Sequence, residues 1–233
     1  MTWVSAWETR RVGLGCTFKR LLMRKLASKL LPFSLLVSFC VLWWVKTAED
    51  VSGSRITINT LFCFLYAAWL LFEVRVSGRE GGQQVADYGT REFYGAAHSA
   101  TILAALWFAP GGERSLFMLV ISFFLFLAGV AFRIWAIRTL GTFYSHSVRT
   151  LADHKIVDTG PYRRLRHPAY SGMLLAHIGV VLFFFSIPAL LALCFGLFPA
   201  IVARILVEER ALMPLDGYNV FARTRKRLAW MVW

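Results

Sequence analysis

Long apolar stretches alternate with short charged segments along this chain. Each stretch approaches the roughly 17 to 25 residues that cross a bilayer as a helix. Between the last two, only Ser186, Ile187 and Pro188 can turn the chain, which predicts a C-terminal helical hairpin. The pattern therefore predicts an all-α integral membrane protein with five or six transmembrane helices. The six apolar runs are at about Leu30–Val45, Ile56–Phe72, Phe93–Ala109, Ser115–Phe132, Ala169–Ile187 and Pro188–Val207.

The basic residues indicate how such helices are oriented. Lys and Arg accumulate in short cytoplasmic loops. With the N-terminus in the cytoplasm, 23 of the 26 Lys and Arg residues fall in inner segments, and only Lys46, Arg55 and Arg114 fall outside. We therefore expect both termini to be cytoplasmic.

The composition supports a membrane protein that binds lipid rather than nucleic acid. Hydrophobic residues make up 58% of the chain, with 20 Phe and 9 Trp, above the roughly 50% of soluble domains. The net charge of +13 is spread over the membrane flanks, so anionic lipid headgroups are the expected partner. We predict a basic amphipathic interfacial segment at 1–29, a transmembrane scaffold at 30–131 and a core at 132–233 that carries the chemistry.

The cysteine and histidine positions do not predict a metal site. Cysteines show no C-x-x-C spacing, so neither a zinc site nor a disulfide framework is indicated. His98 and His177 lie on apolar helices without further ligands at suitable spacing, as core or cavity-lining residues do. His146 and His154 share one loop and form only a weak metal hypothesis. The cysteines are Cys16, Cys40, Cys63 and Cys194.

The segment from Gly160 to Gly172, GPYRRLRHPAYSG, is unusually polar for this chain. His167 precedes Pro168, which excludes it from helical geometry, so the next helix should begin near Ala169. The His167 ring could then face a ligand at a helix entrance. A loop histidine at the level of the lipid headgroups is the alternative.

A second polar cluster lies at the end of the last apolar run. Arg204 and Glu208 are four residues apart, so they share one helix face and can form an ion pair. Glu209 projects about 100° away from Glu208. Arg204 still lies within the apolar run, where a charge usually faces a cavity or a partner. A purely structural ion pair is the alternative.

Together these residues resemble the isoprenylcysteine carboxyl methyltransferase family and its bacterial relatives, membrane enzymes that methylate a prenylated cysteine carboxylate from S-adenosylmethionine. The resemblance runs from about Phe132 to Arg227 and depends on the order and spacing of five short segments. These are Leu140–Ser145 (LGTFYS), His154–Val157 (HKIV), Gly160–Tyr162 (GPY), Arg166–Tyr170 (RHPAY), and Arg204 with Glu208, Glu209 and Leu212.

The resemblance implies a cofactor pocket for S-adenosylmethionine at the cytoplasmic end of the last helices, and a location in a bacterial inner membrane. Arg204 would face the acceptor and Glu208 would serve both catalysis and the cofactor. The acceptor would be a prenylcysteine-like or other lipidic carboxylate. The other implied cofactor-binding residues are His154, Lys155, Ile156, Val157, Tyr162, His167, Pro168, Ala169, Tyr170 and Glu209.

The C-terminal tail and the first half depart from the family pattern. The usual Tyr-x-x-Tyr reads Tyr218-Asn-Val-Phe221 and lies about two residues closer to the glutamate pair. Ala229 and Trp230 follow Arg227-Leu228 where the family commonly has proline. The N-terminal half shows no convincing match to the eukaryotic enzymes, so the acceptor is less firmly implied than the cofactor.

Three other functions remain open. A phospholipid N-methyltransferase has a similar glutamate pair but needs a general base. An NADPH-dependent membrane reductase has a similar Arg-His-Pro-x-Tyr turn, but with Asn before Tyr and Glu after Gly, where this chain has Ala169 and Met173. A non-enzymatic scaffold or transporter is the third, although a transporter should place polar residues midway along several helices.

Overall fold

The computed structural model describes residues 37–45, 53–77, 83–84, 87–110, 114–144, 149–150 and 156–228. The predicted interfacial segment 1–29 lies outside these ranges, as do His146, His154 and Lys155. Contacts divide the chain into two units, 1–41 and 42–233. Residues 37–45 are helical, and all later elements belong to the second unit.

The second unit is almost entirely helical over its described residues, as predicted. One antiparallel two-residue ladder, β1 with β2, pairs Gln83 with Thr150 and Gln84 with Arg149. Short 3₁₀ turns occur at Gly141–Phe143 and Gly160–Arg163, and a π-helical turn at Leu193–Leu197 joins α5 to α6. The elements are α1 (Gly53–Ser77), β1 (Gln83–Gln84), α2 (Thr90–Trp107), α3 (Leu116–Leu140), β2 (Arg149–Thr150), α4 (Pro168–Phe184), α5 (Ile187–Ala192), α6 (Phe198–Leu212) and α7 (Tyr218–Thr224).

Two helices extend well beyond the apolar runs that predicted them. α1 continues past Phe72 to Ser77, and α3 continues past Phe132 to Leu140. Hydropathy places a helix end at the first charged residue, but Glu73 and Arg133 are buried here at 6% and 0% exposure. The two charges neutralise each other inside the protein. Each helix can therefore continue past its charged residue.

Helices α3 and α4 pack unusually closely because glycines line their contact. A Cβ atom at Gly172 would lie 2.7 Å from the backbone nitrogen of Arg133, and one at Gly179 would lie 2.5 Å from that of Phe126. Small residues that allow such an approach are typical of helix pairs in membranes. The contact fixes the start of α4 against the Arg133 turn of α3.

Two helical stretches among the described residues are long and apolar enough to cross a membrane, Leu116–Phe143 and Ile187–Leu212. Only 22% and 33% of their most apolar windows are buried, whereas a core helix of a soluble protein would be mostly covered. These stretches agree with a membrane protein. The number of spans and the C-terminal hairpin remain predictions.

Candidate functional site

The start of α4 presents His167 and Tyr170 toward α6. His167 is the residue before the helix, with φ −128° and ψ 58°, and Pro168 occupies the first helical position. Proline suits that position because its missing N–H would have no partner there. The predicted helix start next to His167-Pro168 is therefore confirmed.

Arg204 and Glu208 lie on one face of α6 and meet the start of α4. Arg204 Nε is 3.2 Å from Glu208 Oε1, as the four-residue spacing predicted. Tyr170 donates its hydroxyl hydrogen to Glu208 Oε1 at 2.6 Å, and Arg204 Nε donates to the Tyr170 hydroxyl oxygen at 3.3 Å. His167 Nδ1 lies 3.8 Å from Glu208 Oε2. The structure thus brings together four of the residues predicted to form the site.

Glu209 has a separate set of partners, which agrees with its predicted turn away from Glu208. It accepts hydrogen bonds from Arg166 Nη1 at 2.9 Å and from Arg227 Nε at 2.9 and 3.1 Å. His167 Nε2 is 3.4 Å from the same carboxylate. The His167 ring therefore stands between the two glutamates. Glu209 is nearly inaccessible, whereas the Glu208 side chain is 20% exposed.

The end of the described chain closes against the residues before α4. Leu165 pairs with Lys226 in a parallel bridge. Arg166 N donates to the carbonyl of Lys226 at 2.8 Å, and His167 N donates to that of Arg227 at 3.0 Å. The segment around Lys226 and Arg227 therefore fixes the backbone of His167.

An apolar cluster lies beside these polar groups and contains four of the residues implied for the cofactor. Tyr162 and Ala169 are buried in it, and Ile156 and Val157 pack against it. Burial raises the pKa of the Tyr162 and Tyr218 phenols above their ordinary value, so both hydroxyls stay protonated. The Tyr218 hydroxyl is buried and has no hydrogen-bond partner among the described residues.

The arginines of the Gly160–Gly172 segment differ in their surroundings. Arg163 and Arg164 are exposed, which fits basic residues that flank a membrane span. Arg166 instead pairs with Glu209. Only one of the three therefore contributes to the site.

Residues from the first half of the chain also reach the site, which the sequence did not indicate. Thr90 accepts from Arg204 Nη1 at 3.3 Å, and Asp87 lies 3.6 Å from the same nitrogen. Arg133 donates to Glu73 and to the carbonyl of Ala169 at the start of α4. A charge next to an apolar run was the available signal for Glu73 and Arg133, since such charges tend to be paired in the interior.

Residue types that can bind a metal ion do not cluster in the described part of the chain. No group of three or more His, Cys, Asp or Glu residues lies close enough there to hold a metal ion. His98 and His177 contact each other through their rings, with centroids 4.6 Å apart, within a set of aromatic side chains. They line the protein interior, as their apolar helices predicted.

Comparison with known proteins agrees with the resemblance read from the motifs. The sequence model of the isoprenylcysteine carboxyl methyltransferase family matches residues 120–214. The protein-S-isoprenylcysteine O-methyltransferase of Saccharomyces cerevisiae is 34% identical over 131 residues, which cover 52% of this chain and 55% of the yeast protein. The chain thus matches little more than half of that relative's length.

The family match covers most of α3 and all of α4, α5 and α6. It therefore includes His167, Tyr170, Arg204, Glu208 and Glu209, the residues that the fold brings together. By its motifs and by these two matches, the segment 120–214 of this chain is similar to the isoprenylcysteine carboxyl methyltransferase family.

Proposed function

We propose that this chain is a membrane methyltransferase that uses S-adenosylmethionine to methylate the carboxylate of a prenylcysteine-like or other lipidic acceptor. One observation carries the proposal. Arg204 and Glu208 meet Tyr170 and His167 inside the segment that matches the methyltransferase family. The name of the yeast relative describes O-methylation of an isoprenylcysteine by that protein, and supports the same chemistry here.

The residues on the Glu208 side fit the proposed cofactor. Glu208 keeps part of its carboxylate accessible, so it can accept hydrogen bonds from ribose hydroxyls or an amine. Tyr218 holds a buried hydroxyl without a partner among the described residues, which a polar ligand atom would satisfy. Ile156, Val157, Tyr162 and Ala169 offer an apolar surface suited to a purine.

S-adenosylmethionine supplies a methyl group on a positively charged sulfur. In the proposed set, Pro168, Ala169 and Tyr170 form the first turn of α4 beside this surface, and His167 stands between the two glutamates. Glu209 holds Arg166 and Arg227 and so keeps His167 in place. His154 and Lys155 belong to the same set but lie outside the described residues.

Arg204 is suited to hold an acceptor carboxylate. Its guanidinium is 2% exposed and can form paired hydrogen bonds with a carboxylate, which lysine cannot reproduce. A carboxylate with a free pKa of about 3.5 is already ionised near neutral pH, so no general base is needed. The main task of the protein is then to position the acceptor and exclude water, because opposite charges are neutralised during transfer.

The surface of α3 supports a location within a bilayer. Leu116, Phe117 and Phe124 are 72%, 70% and 68% exposed, and large apolar residues exposed along one helix favour contact with lipid. We propose five or six transmembrane helices with both termini in the cytoplasm of a bacterium. The site would then lie at the cytoplasmic ends of α4 and α6, where a lipid substrate and a soluble cofactor can both reach it.

Calorimetry on the purified, detergent-solubilised chain tests this proposal. S-adenosylhomocysteine and NADPH are titrated in parallel. Saturable binding of S-adenosylhomocysteine alone supports a methyltransferase. Loss of that binding in Glu208→Gln would place Glu208 in the cofactor pocket. Binding of NADPH alone would move the chain to the reductases. Binding of neither compound would favour a scaffold or transporter.

A further inference from the structure

Asp87 contacts the guanidinium of Arg204 from the turn that leads into α2. Its Oδ2 atom is 3.6 Å from Nη1 of Arg204, and the Thr90 hydroxyl oxygen accepts from the same nitrogen at 3.3 Å. Both residues precede the segment 120–214 that matches the family. The guanidinium proposed to bind the acceptor is therefore contacted by a carboxylate of the chain itself.

The contacts of Arg204 with Asp87 and Glu208 are long for charged groups. Charge-assisted hydrogen bonds from nitrogen to a carboxylate usually measure about 2.7 to 2.9 Å. Arg133 reaches Glu73 Oε2 at 2.7 Å, whereas Arg204 lies 3.6 Å from Asp87 and 3.2 Å from Glu208. A ligand carboxylate that binds Nη1 at the usual distance would form the better interaction.

Asp87 is held by a local turn rather than by a packed helix. Its Oδ1 accepts from the backbone nitrogen of Gly89 at 3.1 Å, and its carbonyl accepts from Thr90 N at 3.0 Å. Tyr88 and Gly89 have φ angles of 53° and 80°. Positive φ at a residue other than glycine is strained, and such strain is often found at functional sites.

The accessibility of Asp87 also distinguishes it from a structural partner. Its side chain is 27% exposed, whereas that of Arg204 is 2% exposed. Because Oδ1 serves the turn, Oδ2 can lose its contact with Arg204 while the turn keeps its own hydrogen bonds. The charge of Asp87 can therefore be displaced without breaking the start of α2.

We propose that Asp87 is the resident counterion that an acceptor carboxylate replaces at Arg204. This inference rests on the proposed function, because it takes Arg204 as the group that binds the acceptor. An anionic acceptor must compete with Asp87, whereas a neutral analogue does not. Asp87 thus determines how strongly anionic acceptors bind relative to neutral ones of the same shape.

The test compares Asp87→Asn with the unaltered chain. Asparagine keeps the side-chain oxygen that serves Gly89 but removes the charge facing Arg204. The probes are N-acetyl-S-farnesylcysteine and its carboxamide, titrated calorimetrically into the full chain in detergent. We expect the acid to bind about three- to tenfold more tightly to Asp87→Asn, as for a weak, partly exposed ion pair, with the amide unchanged.

Asp216→Asn is the matched control, because Asp216 is an exposed carboxylate in the turn after α6. It removes the same charge at a distance from Arg204, so both affinities should stay as they are. If Asp87→Asn gives little folded protein, Asp87→Ser takes its place. Serine also lacks the charge but keeps an oxygen for Gly89, so this variant must bind the acid more tightly and the amide as before.

Unchanged or weaker binding of the acid to Asp87→Asn would overturn the inference. Weaker binding would show that Asp87 positions Arg204 for the acid instead of competing with it. Failure of the acid to bind any of these proteins would overturn it as well. Failure of S-adenosylhomocysteine to bind the unaltered chain would instead count against the proposed function, since the acid and amide titrations need no cofactor.

Discussion

Arg133 of α3 and Glu73 of α1 form a bidentate ion pair inside the protein. Arg133 Nη2 donates to Glu73 Oε2 at 2.7 Å, and Arg133 Nε donates to Oε1. Arg133 also donates to the Tyr144 hydroxyl at 3.0 Å and to the Ala169 carbonyl at 2.9 Å, while Trp69 donates to Glu73 at 3.0 Å. This pair connects α1 to the first turn of α4, which carries Tyr170.

Removal of Glu73 should destabilise the protein strongly, because Arg133 would be left charged and buried. Breaking a buried ion pair from one side costs about 3 to 5 kcal/mol. We expect Glu73→Ala to lower the melting temperature in detergent, monitored by tryptophan fluorescence. Arg75→Ala is the control: Arg75 is exposed on the same helix, so its melting temperature should stay close to that of the unaltered chain.

A double replacement should recover much of that loss. When both charges of a buried pair are replaced by apolar groups of similar size, stability is often unchanged or higher. Glu73→Met with Arg133→Met should therefore melt above either single variant. If the double variant melted at the temperature expected from adding the two single effects, the two residues would not be coupled.

Glu208 and Glu209 should differ in what their loss affects. Glu208→Gln should weaken S-adenosylhomocysteine binding at least tenfold, since a hydrogen bond to a charged group contributes about 1.5 to 3 kcal/mol. Its melting temperature should change little, because the side chain is partly exposed. Unchanged affinity in calorimetry would remove Glu208 from the pocket.

Glu209→Gln should mainly lower stability, because Glu209 is nearly inaccessible and holds Arg166 and Arg227. The two arginines are partly exposed and can recover water, so we expect a loss of about 1 to 3 kcal/mol in the free energy of unfolding. The melting temperature is the measurement. A fall in cofactor affinity without any fall in stability would show that Glu209 binds the ligand directly.

Arg204 should be required for turnover but not for cofactor binding. Arg204→Ala should abolish methyl transfer to N-acetyl-S-farnesylcysteine and change the S-adenosylhomocysteine affinity by no more than about threefold, or about 0.7 kcal/mol. Arg204→Lys should remain strongly impaired, because lysine cannot form paired bonds with a carboxylate. Arg210→Ala, an exposed position on the same helix, is the control. Full activity in Arg204→Ala would rule out the acceptor role.

The sequence predicts those parts of the site that depend on local spacing. The Arg204–Glu208 pair follows from four residues along a helix, and the start of α4 follows from proline after His167. Both are present in the structure. Ile156 and Val157 also pack against the apolar cluster that contains Tyr162. Their role in binding a cofactor, which the resemblance implies, stays a prediction.

Pairings between distant segments could not be predicted in this way. Glu73 and Arg133 are 60 residues apart, and Thr90 and Arg204 are 114 residues apart. A single sequence does not indicate which helices are neighbours, so a charge at the end of an apolar run predicts a helix boundary. Partner choice depends on packing, and here the packing depends on the glycines of α3 and α4.

Those glycines give the last prediction. Gly172→Ala should destabilise the protein by about 1 to 3 kcal/mol, the usual cost of forcing extra volume into a packed interior. Its Cβ would lie 2.7 Å from both Arg133 N and Gly129 O, and backbone atoms cannot move aside as a flexible side chain can. Gly196→Ala is the matched control, because its Cβ would meet only Ala97 Cβ, at 3.8 Å. If the two variants melted at the same temperature, close packing of α3 on α4 would not fix the start of α4. If Gly172→Ala alone melted lower and bound S-adenosylhomocysteine less tightly, that packing would be what places His167 and Tyr170 against α6.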